Sequence, residues 1–448
     1  MAFAERVGQV RPSQLLYSYG VGSAVDLPHL SALVLGIDEW DTTDAQEVSE
    51  ERLLAAVRAE LGNQVSALRL PPVKEETANP FDDWARTGVP VAPFPQWLRC
   101  PSCSYLGPIS TGLFTLKADK FRPDRTRYVH ATCRKANMPT ALPVRFLIAC
   151  PAGHLDEFPW VHYAHRGQPC DHPMLELFER GVTGRAAEII VRCTTCGAPA
   201  RSLADAFGLD PRGILPKCRG RHPHLGSFDS SCDQPVKTIL LGASNAWFPV
   251  TRSALSIPRL TVPLVQKVVD HWQQLKDVSS KEILAYARMN VPGLAVFLHT
   301  DIDELWEAIE SYRGIAAGTP EETSDLLAAE WEVFASPEKA VSTDNFRLRV
   351  VPVPRGYEQH IEQVVLAERL REVVALLGFT RVDPPGEIDP EGEPLPQAPL
   401  SRRPPLWVPC SEVRGEGIFL RFPETTIAAW EDRVATHPSV KNLMEAHR

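Results

Sequence analysis

The chain has 448 residues, of which 44% are hydrophobic and 23% charged, and its formal net charge is −9. Such a composition describes a globular protein with apolar material for a large core, on the order of two to four domains, and excludes a surface that binds polyanions everywhere. No run of about 18 apolar residues occurs, which argues against a membrane-spanning helix. The opening MAFAERVGQV also lacks the basic flank and apolar stretch of a secretory signal, so a cytoplasmic location is expected.

In chain order, residues 1–96 read as an N-terminal α/β unit. Leu33 to Ile37 (LVLGI) has the look of a buried strand, and YSYGVGS before it that of a tight turn. The glycines of that turn lack the Lys-Ser/Thr of a phosphate loop and the third glycine of a dinucleotide fingerprint. A helix should follow, capped by Ser49, with Leu53, Leu54, Val57 and Leu61 on one face and Gly62 at its end. Residues 71–95 carry six prolines and read as an extended connector.

Residues 97–235 form a cysteine-rich region. Nine of the ten cysteines lie between Cys100 and Cys232, leaving only Cys410 outside. The same stretch is locally basic: residues 100–235 hold 17 Lys/Arg against 12 Asp/Glu, so the remainder of the chain carries −14. Residues 236–345 read as a mainly helical domain. Capping-box spacing occurs at Ser279–Glu282 and Asp301–Glu304, and Thr319-Pro320-Glu321-Glu322 resembles a helix start. Residues 346–448 read as a mixed segment: a strand, a helix ending in LREVVALLGFTRV, a proline-rich loop at 383–405, a further strand, and a short final helix. The fold class expected is therefore α+β and multidomain, with zinc-ribbon-like modules inserted between the N-terminal unit and the helical block.

Cys100-Pro-Ser-Cys103 and Cys193-Thr-Thr-Cys196 are Cys-x-x-Cys knuckles. Two thiolates at this spacing can turn toward one tetrahedral Zn2+, which then needs two more soft ligands. In a chain without an export signal, such pairs favour metal over disulfide. The spacing suggests two structural Zn2+ sites. One would use Cys193, Cys196, Cys218 and Cys232. The other would use Cys100, Cys103, Cys133 and, as the favoured fourth ligand, Cys150, with His154 or Cys170 as alternatives. Neither pair opens a helix after a strand, which weakens a redox reading. The pairs His162/His165 and His222/His224 read as partly exposed polar residues.

A nucleic-acid surface needs cations for phosphates and rings for bases. KADKFRPDRTRY supplies Lys117, Lys120, Arg122, Arg125 and Arg127 between Phe121 and Tyr128, and Arg219 and Arg221 accompany the second knuckle. A solvated hairpin face accounts for the first group equally well. No HExxH, GxSxG or kinase set is present. The His154–Asp156–Glu157 cluster is the place where a metal-dependent nuclease or hydrolase would have to reside. A packed turn, with His154 and Asp156 sharing a buried hydrogen bond, explains the same residues.

Several stretches together resemble one family: RPSQLLYSYGVGSAVDLP (11–28), LRCPSC (98–103), PVRFLIACPAGHLDEFPWVHYAH (143–165), VRCTTCG (191–197), LGASNAWFP (241–249), LREVVALLGFTRV (370–382) and EVRGEGIF (412–419). In that order they are similar to the DrmB family of the DISARM anti-phage defence system. The resemblance implies a non-catalytic, zinc-binding subunit that partners the helicase-like ATPase DrmA and engages DNA through the complex. No small-molecule substrate and no membrane are implied. Members of that family continue past EVRGEGIF into a further cysteine-bearing portion. The resemblance therefore leads one to expect that portion on a separate subunit, or its loss in a shortened member.

Overall fold

Short antiparallel strands joined by tight turns dominate the part of the chain that holds the cysteines, and helices dominate the acidic part. The structure, a computed structural model, describes residues 10–74, 81–82, 87–119, 121–181, 185–207, 214–257, 263–316, 326–385 and 396–446. The chain divides into two units. The first consists of Met1–Val48, Leu61–Arg252 and Ala375–Ser411, the second of Ser49–Glu60, Ser253–Val374 and Glu412–Arg448. The four consecutive blocks of the sequence reading thus give way to two interleaved units. The interleaving arises because the strands Gln363–Thr380 and Trp407–Arg421 each begin in one unit and end in the other.

In the first unit, a six-stranded antiparallel sheet runs in the order Leu142–Pro143, Trp97–Arg99, Tyr105–Pro108, Leu175–Glu179, Ile189–Cys193, Arg201–Ser202. A three-stranded sheet places Phe146–Ala149 between Leu155–Glu157 and Lys237–Leu240, with Ala149 opposite Leu155 and Lys237. FLIA is buried throughout, as a central strand covered on both faces must be. Around it pack Phe158, Trp160, Tyr163, Val191 and Leu203. A second small sheet pairs Ser31–Val34 with Ala24–Asp26 and with Val91–Pro93. The proline-rich connector therefore ends as a paired strand, and LVLGI is strand only to Val34, with a 3-10 turn over Ile37–Glu39.

In the second unit, helices Pro263–Asp270, Trp272–Leu275, Lys281–Asn290 and Ile302–Ala316 bury Val268, Leu275, Leu284, Phe297, Leu305 and Ile309 together. Ser280, not Ser279, caps Lys281–Asn290, since its Oγ accepts the Ile283 N–H at 3.3 Å. Asp301 caps the next helix as its spacing predicts, accepting from the N–H groups of Asp303 and Glu304. Ser49 does not cap Glu51–Leu61: the helix starts one residue too late, and the Ser49 hydroxyl is buried without a partner. The Thr319–Glu322 start and most of the 383–405 loop lie outside the described residues.

The helix expected at LREVVALLGFTRV is instead the end of the 18-residue strand Gln363–Thr380. Its partner Phe346–Val351 is antiparallel, with a register shift at Arg347/Leu348. A continuous apolar run carries no period that separates a buried helix from a buried strand, and every residue from Val373 to Thr380 except Gly378 is individually buried at 3% exposure or less. After the strand Trp407–Arg421 come two helices, Glu424–Thr436 and Pro438–Ala446. No described helix is long and apolar enough to cross a membrane.

Candidate metal centres

Three Cys/His tetrads form in the first unit, each with its four ligand atoms within 4.8 Å of one another. The first comprises Cys100, Cys103, His130 and Cys133. Cys100 follows the strand Trp97–Arg99, and the knuckle turns back through Ser104, whose φ is +65° and whose N–H bonds the Cys100 carbonyl. His130 closes the hairpin Phe114–Lys117/Arg127–His130, and Cys133 follows one turn later. The Cys100 and Cys133 sulfurs lie 3.8 Å apart, and Cys103 Sγ is 3.5 Å from His130 Nδ1.

The second tetrad comprises Cys150, His154, Cys218 and Cys232. The strand Phe146–Ala149 delivers Cys150 fully buried into the turn CPAGH, where Gly153 (φ +82°) lets the chain fold back and present His154. Cys150 Sγ lies 3.7 Å from Cys218 Sγ, 3.9 Å from Cys232 Sγ and 3.3 Å from His154 Nδ1.

The third comprises His165, Cys170, Cys193 and Cys196. His165 ends the short helix Trp160–His165, and its Nδ1 is bound to the Val161 carbonyl at 2.7 Å. Its Nε2 is buried with no hydrogen-bond partner. An imidazole held at one nitrogen, with the other bare and facing three sulfurs, has the form of a metal ligand.

A tetrahedral Zn2+ with Zn–S of ~2.3 Å and Zn–N of ~2.0 Å requires S···S edges of ~3.8 Å and S···N edges of ~3.5 Å. The sulfur–sulfur distances of 3.7, 3.8 and 3.9 Å match, and they are far too long for disulfides of ~2.05 Å. Electrostatics agree. Burial, followed by the neighbouring Cys100, pushes the Cys103 thiol up to about 12, and hydrogen bonding to Cys150 followed by burial pushes Cys218 up to about 12. A cation among the sulfurs removes that penalty. Burial opposes ionisation of Cys193 too, but the N–H groups of Cys196 and Thr195 hold it down to about 6.

All eight cysteines expected as ligands are in tetrads, but the groupings differ from those the spacing suggested. Cys150 leaves Cys100, Cys103 and Cys133, whose fourth partner is His130, and joins Cys218 and Cys232. Cys193 and Cys196 take His165 and Cys170, the cysteine outside both favoured sets. His130 and His165 were missed as candidate ligands, and His154 stands in the second tetrad rather than the first. Each has a short-range signal: His130-x2-Cys133, Cys150-x3-His154 and His165-x4-Cys170 are knuckles in their own right. His165, His222 and His224 are buried, contrary to the exposed reading, whereas His162 stays half-buried outside the tetrads. Burial lowers the pKa of His222, and it holds His224 down to about 3.

The His154–Asp156–Glu157 cluster does not converge. His154 belongs to the second tetrad, and its Nε2 is 2.7 Å from Asp229 Oδ2 rather than bonded to Asp156. Asp156 accepts from Arg219 at 2.8 Å and from Arg221 at 2.7 Å. Glu157 Oε1 accepts the Gln96 N–H at 2.7 Å, while its Oε2 is buried and unpaired.

The candidate DNA contacts also separate. Lys117 and Arg127 face each other across the hairpin that His130 anchors, and Arg125 is exposed at its turn with Phe121 nearby in sequence. Arg122 is engaged by Asp124 through two bonds of 3.0 Å. Arg219 and Arg221 share Asp156, which neutralises part of their charge. Lys120 lies outside the described residues.

Comparison with known proteins fits this arrangement. The family described as a domain of unknown function (DUF8724) matches residues 11–248, a span that contains every ligand of the three tetrads. The DISARM protein DrmB of Bacillus paralicheniformis is 28% identical over 421 residues, covering 89% of this chain and 68% of that protein. With the family match spanning more than half of its length, the chain belongs to the DUF8724 family and is a homologue of DISARM DrmB.

Proposed function

We propose that this chain is a non-catalytic, zinc-stabilised subunit of a bacterial anti-phage defence complex, acting in the cytoplasm beside a helicase-like ATPase of the DrmA kind. The observation that carries the proposal is the similarity to DrmB along 89% of the chain. The three tetrads support the structural part: each ties together loops with few apolar residues of their own, and Zn2+ supplies the folding energy such loops lack. Cys100, Cys103, His130 and Cys133 hold the base of the Phe114–His130 hairpin, so metal binding at one end fixes the exposed cations Lys117 and Arg125 and the half-buried Arg127 at the other. These would track phosphate without reading sequence. The partner ATPase supplies nucleotide hydrolysis, consistent with the lack of a phosphate loop in this sequence.

A second reading has an observation in its favour. Because Arg122, Arg219 and Arg221 are already engaged by Asp124 and Asp156, the chain could serve as a protein–protein scaffold that never touches DNA. A hydrolase at His154–Asp156–Glu157 has less support, since the three side chains serve a tetrad, an arginine pair and a backbone N–H.

The deciding experiment is DNA binding by this chain alone and with its helicase partner across a salt series, with zinc measured on the same samples. A salt slope that steepens when this chain joins the helicase supports DNA engagement. An unchanged slope with zinc intact leaves the scaffold.

A further inference from the structure

Four stretches of sequence that lie far apart in the chain converge on one side chain, Arg381. It is 1% exposed and is the one buried Lys or Arg among the described residues. Its Nε donates to the Gly153 carbonyl at 3.1 Å, Nη1 to the Ala246 carbonyl at 2.5 Å and Nη2 to the Gly22 carbonyl at 2.7 Å. The guanidinium also lies over the Phe379 ring at 4.7 Å. YGVGS, CPAGH, ASNAWF and GFTRV thus each contribute one group. The pocket admits no larger residue at two of these points. A Cβ on Gly22 would lie 2.4 Å from the Phe379 ring, and one on Gly153 would lie 2.7 Å from Ala398 Cβ. Both glycines have positive φ, +79° and +82°, which turns the chain at the points that offer their carbonyls.

Three carbonyls give each guanidinium nitrogen one partner but do not neutralise the charge, and a buried charge without a counter-charge is costly. No carboxylate is among the partners of Arg381. The second tetrad is what lies next to it: the Gly153 carbonyl that takes the Nε bond belongs to the turn between Cys150 and His154, two of the four residues of that tetrad. Three thiolates, one neutral imidazole and one Zn2+ sum to a net charge of about −1.

We propose that Arg381 is the built-in counter-charge of the Cys150–His154–Cys218–Cys232 metal centre, so that the loaded cluster and the guanidinium are buried as a neutral pair and metal loss strands a buried cation. The inference rests on the zinc reading of that tetrad. It makes this centre the one of the three whose metal occupancy is coupled to the packing of the N-terminal turn and of the chain after Thr380.

The test uses the full chain, zinc content by elemental analysis, and the rate of zinc release to a chromogenic chelator. Arg381→Met should release one zinc at least ~10-fold faster than the parent while the other two are unaffected. Arg381→Lys, which keeps the charge but loses the fork, should fall between. The decisive variant is Cys218→His, which makes the loaded cluster neutral: in that background Arg381→Met should no longer accelerate release. An equal acceleration in both backgrounds would show that Arg381 merely ties loops together, and would overturn the proposal. Should Arg381→Met alone fail to fold, recovery of folding in the Cys218→His background supports the proposal and continued failure overturns it. If Cys150→Ser binds as much zinc as the parent, the tetrad itself is not a zinc site, and the inference falls with it.

Discussion

Asp229 Oδ2 lies 2.7 Å from His154 Nε2, and the opposite nitrogen of the same ring, Nδ1, faces Cys150 Sγ at 3.3 Å. A carboxylate in this position fixes the tautomer, so that the N–H points to Asp229 and the lone pair to the sulfurs. His222 Nε2, 3.3 Å from the same oxygen, steadies the carboxylate from its other side.

Replacing Asp229 with Asn or Ala should therefore weaken zinc at the second tetrad by ~10–100-fold without removing a ligand. Competition against a chelator of known affinity measures this. Because Asp229 is itself exposed at its surface edge, the folded state should survive the change. An unaltered zinc affinity would show that the ring is held by packing alone.

Cys170 decides the number of metal ions. With three tetrads, the chain should bind about three zinc ions, and Cys170→Ala should reduce this to about two, because one thiolate of the third centre is lost. Elemental analysis of both proteins after gel filtration measures the difference. Equal zinc in the two would return Cys170 to the role of a bystander.

The knuckles were legible in the sequence because only two residues separate their cysteines, but their partners were not. Cys150 is only 17 residues beyond Cys133, yet the strand before it pairs with Lys237–Leu240, with Ala149 opposite Lys237, and this carries Cys150 toward Cys232. His165 has the pattern of an ordinary polar residue on a short helix. What makes it a candidate ligand is its Nδ1 bond to the Val161 carbonyl, which leaves Nε2 for the three sulfurs and which no pattern of residue types displays. The strand over Leu370–Thr380 differs from the helix expected there for a related reason: Leu, Ala and Glu favour a helix locally, and burial favours the strand. By contrast Asp301 capped its helix as expected, because a cap is a matter of a few consecutive residues.

The hairpin over Phe114–His130 is where DNA binding can be tested with least damage to the fold. Changing Lys117, Arg125 and Arg127 together to Gln should lower the salt slope of DNA binding by the complex by about 2–3, at ~0.9 for each phosphate no longer neutralised. Melting temperature should hardly move, since Lys117 and Arg125 are exposed and Arg127 is only half-buried. Arg221→Gln should behave in the opposite way. It leaves Asp156, 9% exposed at its side chain, with Arg219 as its one remaining cation beside the Glu157 N–H, so stability should fall by about 1–3 kcal/mol with no change in slope.

Glu157 gives the chain a pH dependence of predictable sign. Burial raises its pKa from 4.5 to about 7, outweighing the Gln96 N–H and Arg221, because the enclosed Oε2 has no donor of its own. The folded state thus holds a proton that the unfolded chain releases at lower pH. Stability from this group is complete below the unfolded pKa and is lost as pH rises from about 4.5 through about 7. At about 1.4 kcal/mol per pKa unit, the loss at neutral pH is at most about 3 kcal/mol. Glu157→Gln removes the ionisation while keeping an acceptor for Gln96, so it should be more stable than the parent at pH 7.5 and close to it at pH 5 (~2.5 units lower). Urea unfolding of both proteins at the two pH values, in zinc-buffered solution so that the tetrads stay loaded, measures the difference. A parent that gains stability relative to Glu157→Gln as pH rises would mean that the carboxylate is paired in the folded state, and would assign Glu157 to a charge partner rather than to burial.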